Sequence, residues 1–422
     1  MQVENEEYAV EGLSLLSLSE EFGTPLYVYS GAKIREQYQK LAKAFKVIDV
    51  KIKYACKANS NVNILKLLKQ EGSGLDTVSM NEVRLGLKAG FGPEEILYTP
   101  NGVSMEEMEE AVQMEVNINI DNISILEQFG HKYQNSVPVC IRINPHVMAG
   151  GNAHIQTGHI DSKFGISIHQ IRHVIRVVKA NDMDIAGLHM HTGSDIVDAE
   201  VFTHAAELLF EAAMNFENLR YIDLGSGFKV GYRKDDVTTD IDRLGEVLGK
   251  RFEEFCKTYG KKLELWFEPG KFLVSEAGIF LVKVNVVKQT VSTVFAGVDS
   301  GQNHLIRPMM YEAYHHIANI SNRGETQRVY SVVGYICETD TFGSNRRINE
   351  IKEGDLLAFK NAGAYCFTMA SNYNSRYRPA EVLYHQGKAH LIREREKFDD
   401  ILRNQVDIAS IFESAPTAVA AK

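Results

Sequence analysis

The stretch Tyr54-Ala55-Cys56-Lys57-Ala58-Asn59 follows an alternating segment, residues 51–54, that is typical of a buried β-strand. A helical pattern comes next, so a single lysine lies between strand and helix with small residues on either side. Such a setting removes solvation from the ammonium group, which predicts a lowered pKa for Lys57 and a nucleophilic amine. We therefore take Lys57 as a candidate Schiff-base lysine; the alternative is an exposed lysine at a strand end.

The alternation of strand and helix continues to about residue 285. Strand patterns end near Lys57, Ser79, Pro100, Ile120, Pro145, Gly193, Gly227 and Gly270. Three helix starts carry a Ser-x-x-Glu capping pattern, at Ser79, Ser104 and Ser124. Eight strand–helix units predict a (β/α)8 TIM barrel. An open doubly wound sheet is the alternative, but no Gly-x-Gly-x-x-Gly follows the first strand.

From about Gly278 the pattern changes to strands and turns, which predicts a second, β-rich domain. Its strand patterns cover residues 280–287, 293–298, 328–336, 356–359 and 381–384. Residues 25–29 also resemble a strand and are expected to join it, after a helical lead-in over residues 1–22. We predict a cofactor-binding barrel at 30–284, a β-rich domain from 1–29 and 285–412, and a flexible tail at 413–422.

Composition excludes several classes of function. The net charge of −9 among 422 residues argues against a nucleic-acid surface, which requires a basic face. No apolar run has the length of a membrane span, and the acidic N-terminus does not resemble a signal peptide. The five cysteines show no metal-type pairing, so we expect reduced thiols in a cytoplasmic protein.

Catalytic groups of such barrels project from the carboxyl ends of the strands. Here these ends carry Lys57, Asp76, Arg142, His189, His191, Gly225-Ser226-Gly227, Glu268 and Gly270. The glycine-rich turn suits phosphate binding, because its backbone amides can approach an anion closely. The alternative interpretation is an ordinary glycine turn. Glu268 is a candidate for the carboxylate that keeps a pyridine nitrogen protonated. The alternative interpretation is that Glu268 is a glutamate in a salt bridge at a strand end.

The two histidines after the sixth strand are expected to differ in role. His191 suits stacking on a planar ring, whereas His189 is interpreted as a core histidine. No third residue has the spacing of a metal ligand, so no metal is predicted.

On these residues the chain resembles the fold-type III pyridoxal-phosphate decarboxylases, and within them the diaminopimelate decarboxylase family. The resemblance runs from about residue 23 to about residue 385. The barrel motifs are shared by the wider fold type, and those of the β-rich part are narrower. The matching stretches are 54–59, 187–194, 223–227, 268–270, 303–308, 311–315, 333–338 and 363–374.

The resemblance implies roles for individual residues. It implies that pyridoxal 5'-phosphate is bound by Lys57, His191, Ser194, Gly227, Glu268 and Tyr365, and Asp76, Arg142 and Gly270 from the strand ends complete this set. It implies substrate contacts from Lys271, Arg307, Tyr311, Glu338 and Tyr365. Lys57 and Cys337 would be catalytic, with the Cys337 thiol as proton donor. In a homodimer arranged head to tail, Cys337 and Glu338 would complete the partner's site.

The implied reaction is decarboxylation of meso-2,6-diaminopimelate to L-lysine and carbon dioxide, the last step of lysine biosynthesis. The alternatives are a related decarboxylase of the ornithine or arginine type, a catalytically silent cofactor-binding homologue, and a metal-dependent barrel hydrolase.

Three positions depart from the family pattern. Lys271 stands where the family usually has arginine, and Asp195 where it commonly has glutamine. Ser226 replaces the middle of three glycines. A mobile loop that closes the site is expected at residues 150–154, because its two glycines suit a hinge.

Overall fold

The computed structural model describes residues 2–4, 7–46, 48–147 and 162–408. The expected closing loop at 150–154 and the expected tail at 413–422 lie outside these residues. No helix in the described ranges is long and apolar enough to cross a membrane.

The N-terminus begins with a small antiparallel sheet, so the helical lead-in expected over residues 1–22 is wrong for its first part. Its elements are β1 (Gln2–Glu4), β2 (Glu7–Val10), β3 (Leu13–Ser14) and helix α1 (Leu15–Phe22). Glu11 and Gly12 connect β2 to β3 with φ of 50° and 83°. A two-residue turn with positive φ at both positions matches the right-handed twist of a hairpin, which favours strands here.

Next come β4 (Leu26–Ser30) and helix α2 (Gly31–Ala44), which lead into a closed barrel. Eight parallel strands, β5 to β9 and β11 to β13, pair in that order, and β13 pairs with β5. The short β10 pairs with β9 outside the barrel. The bounds are β5 (Val50–Ala55), β6 (Gly74–Thr77), β7 (Ile96–Tyr98), β8 (Asn117–Ile120), β9 (Val139–Asn144), β10 (Ile166–Ser167), β11 (Ile185–His189), β12 (Tyr221–Asp223) and β13 (Glu264–Phe267).

A helix follows each barrel strand and packs outside it. The bounds are α3 (Val62–Gln70), α4 (Met80–Ala89), α5 (Met105–Gln113), α6 (Ile123–Tyr133), α7 (Ile171–Ala180), α8 (Ala199–Ala213), α9 (Ile241–Tyr259) and α10 (Lys271–Val274). Ser79 and Ser104 cap α4 and α5, as predicted. The third predicted cap is wrong: the side chain of Asn122 accepts from the backbone of Ile125, so α6 starts earlier and Ser124 lies inside it.

The rest of the chain forms the second, β-rich part. Its elements are β14 (Gly278–Gln289), β15 (Val294–Val298), α11 (Arg307–Tyr311), β16 (Ile317–Asn319), β17 (Gln327–Val333), β18 (Thr341–Asn349), β19 (Leu356–Lys360), β20 (Ala380–His385), β21 (Lys388–Arg393) and α12 (Phe398–Leu402). The strand order is β18-β17-β15-β14-β4-β20-β21, with β19 on β14 and β16 on β19. The predicted fold class, a (β/α)8 barrel with a second β-rich domain, is confirmed.

The N-terminal β4 lies inside this C-terminal sheet, antiparallel to β14 and parallel to β20. Because β14 runs without interruption across residue 284, no break in the chain marks the predicted domain limit, which stays a prediction.

The β-rich part reaches the carboxyl ends of the barrel strands next to Lys57. The backbone N–H of Tyr365 donates to the carbonyl of Ala58 at 2.8 Å. Asn59 donates from its side chain to the carbonyl of Gly363 at 3.4 Å. These contacts bring residues of both parts of the chain to one cavity.

Candidate active site

A cavity of about 600 Å³ lies between the barrel ends and the β-rich part. Seven of the predicted residues line it, namely Lys57, His191, Ser194, Lys271, Arg307, Tyr311 and Tyr365. A recess of about 50 Å³ adjoins it and is lined by Gly227, Glu268 and Gly270. Residues separated by more than 300 positions thus converge on one space, as a barrel with an attached domain allows.

Lys57 lies in a 3-10 helix, Cys56–Ala58, directly after β5. Its Nζ lies 3.1 Å from Oδ2 of Asp76; the lysine side chain is 42% exposed and Asp76 is buried. Burial lowers the pKa of Lys57, but the charge of the Asp76 carboxylate raises it more, so the pKa lies above its ordinary value. The predicted lowering of this pKa is therefore wrong, because an ion pair outweighs the loss of solvation.

Glu268 follows β13, and its Oε2 lies 3.1 Å from Nε2 of His189, with both side chains buried. Burial raises the pKa of Glu268, but the adjacent imidazole of His189 lowers it more, to about 2. The other oxygen, Oε1, has no hydrogen-bond partner among the described residues. Glu268 therefore presents an anionic acceptor to the recess.

His189 was missed as a functional residue, because it was interpreted as a core histidine. Its position two residues before His191, at the end of the sixth barrel strand, was the available signal.

Asp223 completes a buried group with His189 and Glu268, whose ligand atoms lie within 4.8 Å of one another. This group contains His189 but not His191, and its three residues come from three different strands, so the expectation about the two histidines stays a prediction. Burial and the charge of Glu268 raise the pKa of Asp223 well above its ordinary value. His189 and Asp223 thus form the buried environment of the Glu268 carboxylate.

The turns after β11 and β12 form a glycine cradle made of Gly193, Gly225 and Gly227, with φ of 124°, 61° and 121°. A Cβ on Gly227 would lie 2.2 Å from the carbonyl oxygen of Gly193, so no side chain fits there. The Ile196 N–H donates to the Gly227 carbonyl at 2.9 Å and fixes one turn on the other. Bare backbone beside Ser194 suits a bound phosphate.

His191 lies on the floor between the cradle and Lys57. Its Nδ1 accepts from the backbone N–H of Ser226 at 3.3 Å. Burial and then the charge of Arg142 lower the pKa of His191 to about 3, so the imidazole is neutral. The guanidinium of Arg142 itself lies 4.9 Å from the ring centre of Phe164, a cavity residue. A neutral imidazole suits stacking on a planar ring.

Arg307 also lines the cavity. Its Nη1 donates to the hydroxyl of Tyr232 at 2.8 Å and to the carbonyl of Ala364 at 3.2 Å. It is buried, and none of the ion pairs among the described residues includes it. A buried guanidinium held by neutral groups suits an incoming carboxylate. Sequence reasoning missed Tyr232, which no local motif distinguishes.

Cys337 and Glu338 do not line this cavity in a single chain. The Cys337 side chain is exposed and its Sγ accepts from Nδ2 of Asn374 at 3.1 Å. Glu338 accepts from the hydroxyl of Tyr373 at 2.5 Å. Both therefore lie on an outer surface of the chain.

These features fit pyridoxal phosphate: a lysine amine, a glycine cradle, a neutral imidazole and an anionic acceptor surround one space. Fold and donor set together define a pyridoxal-phosphate-dependent enzyme of the barrel type.

Comparison with known proteins makes this class more specific. Residues 31–275 match the family model described as pyridoxal-dependent decarboxylase, pyridoxal binding domain. The diaminopimelate decarboxylase of Methanothermobacter thermautotrophicus is 39% identical over 94% of this chain and 95% of its own. That of Aquifex aeolicus is 37% identical, over 95% and 96%. The chain belongs to the diaminopimelate decarboxylase family.

A solved structure agrees with this assignment. The crystal structure of diaminopimelate decarboxylase from Helicobacter pylori, complexed with L-lysine, is 31% identical with a TM-score of 0.83. The alignment of the two structures covers 92% of this chain and 98% of the H. pylori chain.

Proposed function

We propose that this chain decarboxylates meso-2,6-diaminopimelate to L-lysine and carbon dioxide with pyridoxal 5'-phosphate as cofactor. The observation that carries the proposal is the single cavity in which Lys57 and His191 face Arg307. Lys57 and His191 suit a phosphorylated pyridine ring, and Arg307 suits a carboxylate. The H. pylori relative that binds L-lysine supports the same product.

The proposed roles of the cofactor residues follow from their contacts. Lys57 holds the cofactor covalently, with Asp76 positioning its side chain. Ser194 and the amides of the cradle bind the phosphate, and Tyr365 and Gly270 close the pocket. The bound ring supplies an electron sink for the charge left when carbon dioxide departs. Glu268 keeps the ring nitrogen protonated, because it is held as the anion.

Substrate selection is proposed to depend on charge. Diaminopimelate has a second amino-acid group with a carboxylate and an ammonium far from the reacting carbon. Arg307, supported by Tyr311, suits that carboxylate, and Glu338 of a second copy suits the ammonium. Ornithine has no distal carboxylate, so a buried cation without a carboxylate partner disfavours it.

A homodimer is part of the proposal. Cys337 and Glu338 lie on the outside of the chain, where a second copy can receive them. The thiol of Cys337 would then donate a proton to the substrate carbon from one side only.

The cytoplasmic location also belongs to this proposal. It is supported by five free cysteines.

One experiment tests the activity. The full-length protein is mixed with pyridoxal phosphate, its visible absorbance recorded, and carbon dioxide and the amine product assayed with meso-diaminopimelate, ornithine, arginine and lysine. Release of L-lysine from diaminopimelate alone supports the proposal. Turnover of ornithine or arginine instead supports the alternative decarboxylase. An absorbance band without turnover of any substrate supports the silent homologue.

A further inference from the structure

Two of the residues that depart from the family pattern contact each other. Nζ of Lys271 lies 2.5 Å from Oδ1 of Asp195, and the lysine side chain is only 10% exposed. Both residues line the cavity beside Ser194. They belong to two different motifs, 76 positions apart, and the fold brings them together.

We infer that Lys271 and Asp195 form a neutral ion pair in the wall of the cofactor site, in which Lys271 cancels the charge of Asp195 and does not itself bind the phosphate or the substrate. The inference rests on the proposed placement of the phosphate at Ser194 and Gly227.

The backbone explains why Asp195 stays beside the cradle. Asp195 has a φ of 64°, a left-handed conformation that few residues other than glycine adopt. On one side it follows Ser194, and on the other the Ile196 N–H is bonded to the carbonyl of Gly227 at 2.9 Å. The carboxylate is therefore attached to the same short turn as the proposed phosphate ligands, and the backbone cannot easily carry it away.

An uncancelled carboxylate at that position is unfavourable. A phosphate carries up to two negative charges, and repulsion between like charges is strong where water is scarce. Lys271 begins α10, directly after Gly270, and its ammonium reaches Asp195. Lysine is a compact point charge, which suits one carboxylate oxygen, whereas arginine's planar fork suits two acceptors at once.

Charge balance around the cavity is consistent with this pairing. Lys57 is paired with Asp76, and Lys271 with Asp195. Arg307 is buried and has no such partner among the described ion pairs, which suits it to receive a substrate carboxylate.

Two rival roles for Lys271 make different predictions. If Lys271 binds the phosphate directly, its loss weakens cofactor binding regardless of which residue occupies position 195. If Lys271 binds the substrate, as the family resemblance implies, its loss raises KM for diaminopimelate and leaves cofactor affinity intact.

The test is a double-mutant cycle in the full-length protein, with K271M, D195N and K271M/D195N. Pyridoxal phosphate is titrated into each cofactor-depleted protein, Kd is read from absorbance, and inorganic phosphate serves as a competitor without a ring. K69M is the matched control. Nζ of Lys69 lies 2.6 Å from Oε2 of Glu95, and neither residue of this ion pair lines the cavity. Thermal unfolding midpoints establish that each variant is folded.

We expect K271M to weaken cofactor and phosphate binding by about tenfold, D195N to strengthen both, and the double variant to return within about threefold of wild type. A double variant as weak as K271M would overturn the inference in favour of direct phosphate binding. Unchanged Kd in K271M with a raised KM would overturn it in favour of substrate binding. Wild-type protein that shows a cofactor band but releases no lysine would count against the proposed function alone.

Discussion

Nε2 of His189 lies 3.1 Å from Oε2 of Glu268, and both side chains are buried at the carboxyl end of the barrel. A carboxylate deprived of water takes up a proton unless a neighbour stabilises its charge. Here the imidazole is that neighbour, and it determines whether Glu268 faces the recess as an acceptor or as an acid.

Replacing His189 with asparagine is expected to raise the pKa of Glu268, because the largest influence that opposes burial is then removed and only the weaker effects of Lys57 and His191 remain. In wild type the pKa lies near 2, below its ordinary value of 4.5. The ionised carboxylate therefore contributes stability above about pH 4.5 that is lost as pH falls toward 2. H189N should lose that contribution, so the difference in unfolding midpoint from wild type should be full at pH 7 and shrink as pH falls from about 4.5 toward 2.

The cofactor provides a second measurement for the same variant. H189N should bind pyridoxal phosphate with a shifted absorbance band and a lower kcat, since an acid in place of an anion no longer keeps the ring nitrogen protonated. H173N is the control, because His173 lies 3.4 Å from Glu127 on the exposed surface. A pH-independent midpoint difference together with an unshifted band would reduce His189 to a packing residue.

Lys57→Arg is expected to abolish the visible band of the lysine-bound cofactor and all turnover. The variant keeps a cation beside Asp76, so the buried carboxylate stays paired. The stability of the fold should therefore change little. Lys57→Ala should lose the band as well and should also lose stability, because Asp76 is then unpaired. Absorbance after borohydride reduction measures the covalent bond, and a reduced adduct in either variant would contradict the role of Lys57.

Much of this site follows from the local pattern of the chain. Lys57, His191 and Glu268 lie at strand ends, and the strand–helix period alone places such residues at one face of a barrel. The pairings His189–Glu268 and Lys271–Asp195 could not be predicted, because they join strand ends 76 or more positions apart in the sequence.

The errors in the sequence predictions have different origins. The pKa of Lys57 depends on Asp76, a partner on the next strand, and not on the small residues beside it. The cap of α6 is Asn122 because the helix starts at the first residue after the loop, although Ser124 has the matching glutamate. The first error comes from a contact between neighbouring strands, and the second from a competing local cap, in which Asn122 accepts from Ile125 three residues later.

Cys337→Ala is expected to bind the cofactor normally and to lower kcat by about 10²- to 10⁴-fold, the range for loss of a positioned proton donor. The normal cofactor band follows from the exposed position of Cys337, outside the cavity that contains Lys57. Cys256→Ala is the control, since Cys256 lies on α9, away from both cavity and recess.

Mixing C337A with K57R then tests the shared site. If each site takes Lys57 from one chain and Cys337 from the other, a mixed dimer contains one intact site. Equal mixing should restore about a quarter of wild-type activity, because half of the dimers are mixed and each has one working site of two. A mixture that forms mixed dimers without regaining activity would show that both residues act within one chain.

Arg307→Met is expected to raise KM for diaminopimelate by about 10- to 100-fold, because a charge-assisted hydrogen bond to a carboxylate is worth about 1.5–3 kcal/mol. The cofactor band should not change, since the side-chain contacts of Arg307 are with Tyr232 and Ala364 and not with the glycine cradle. Y232F is the matched control: it removes the 2.8 Å bond that orients the guanidinium but keeps the charge, so a smaller rise in KM is expected.

Steady-state kinetics with diaminopimelate and ornithine measures both effects. Ornithine lacks the distal carboxylate, so R307M should reduce turnover of diaminopimelate and leave the weak turnover of ornithine unchanged or improved. An equal loss with both substrates would mean that Arg307 acts near the reacting carbon and not at the distal group.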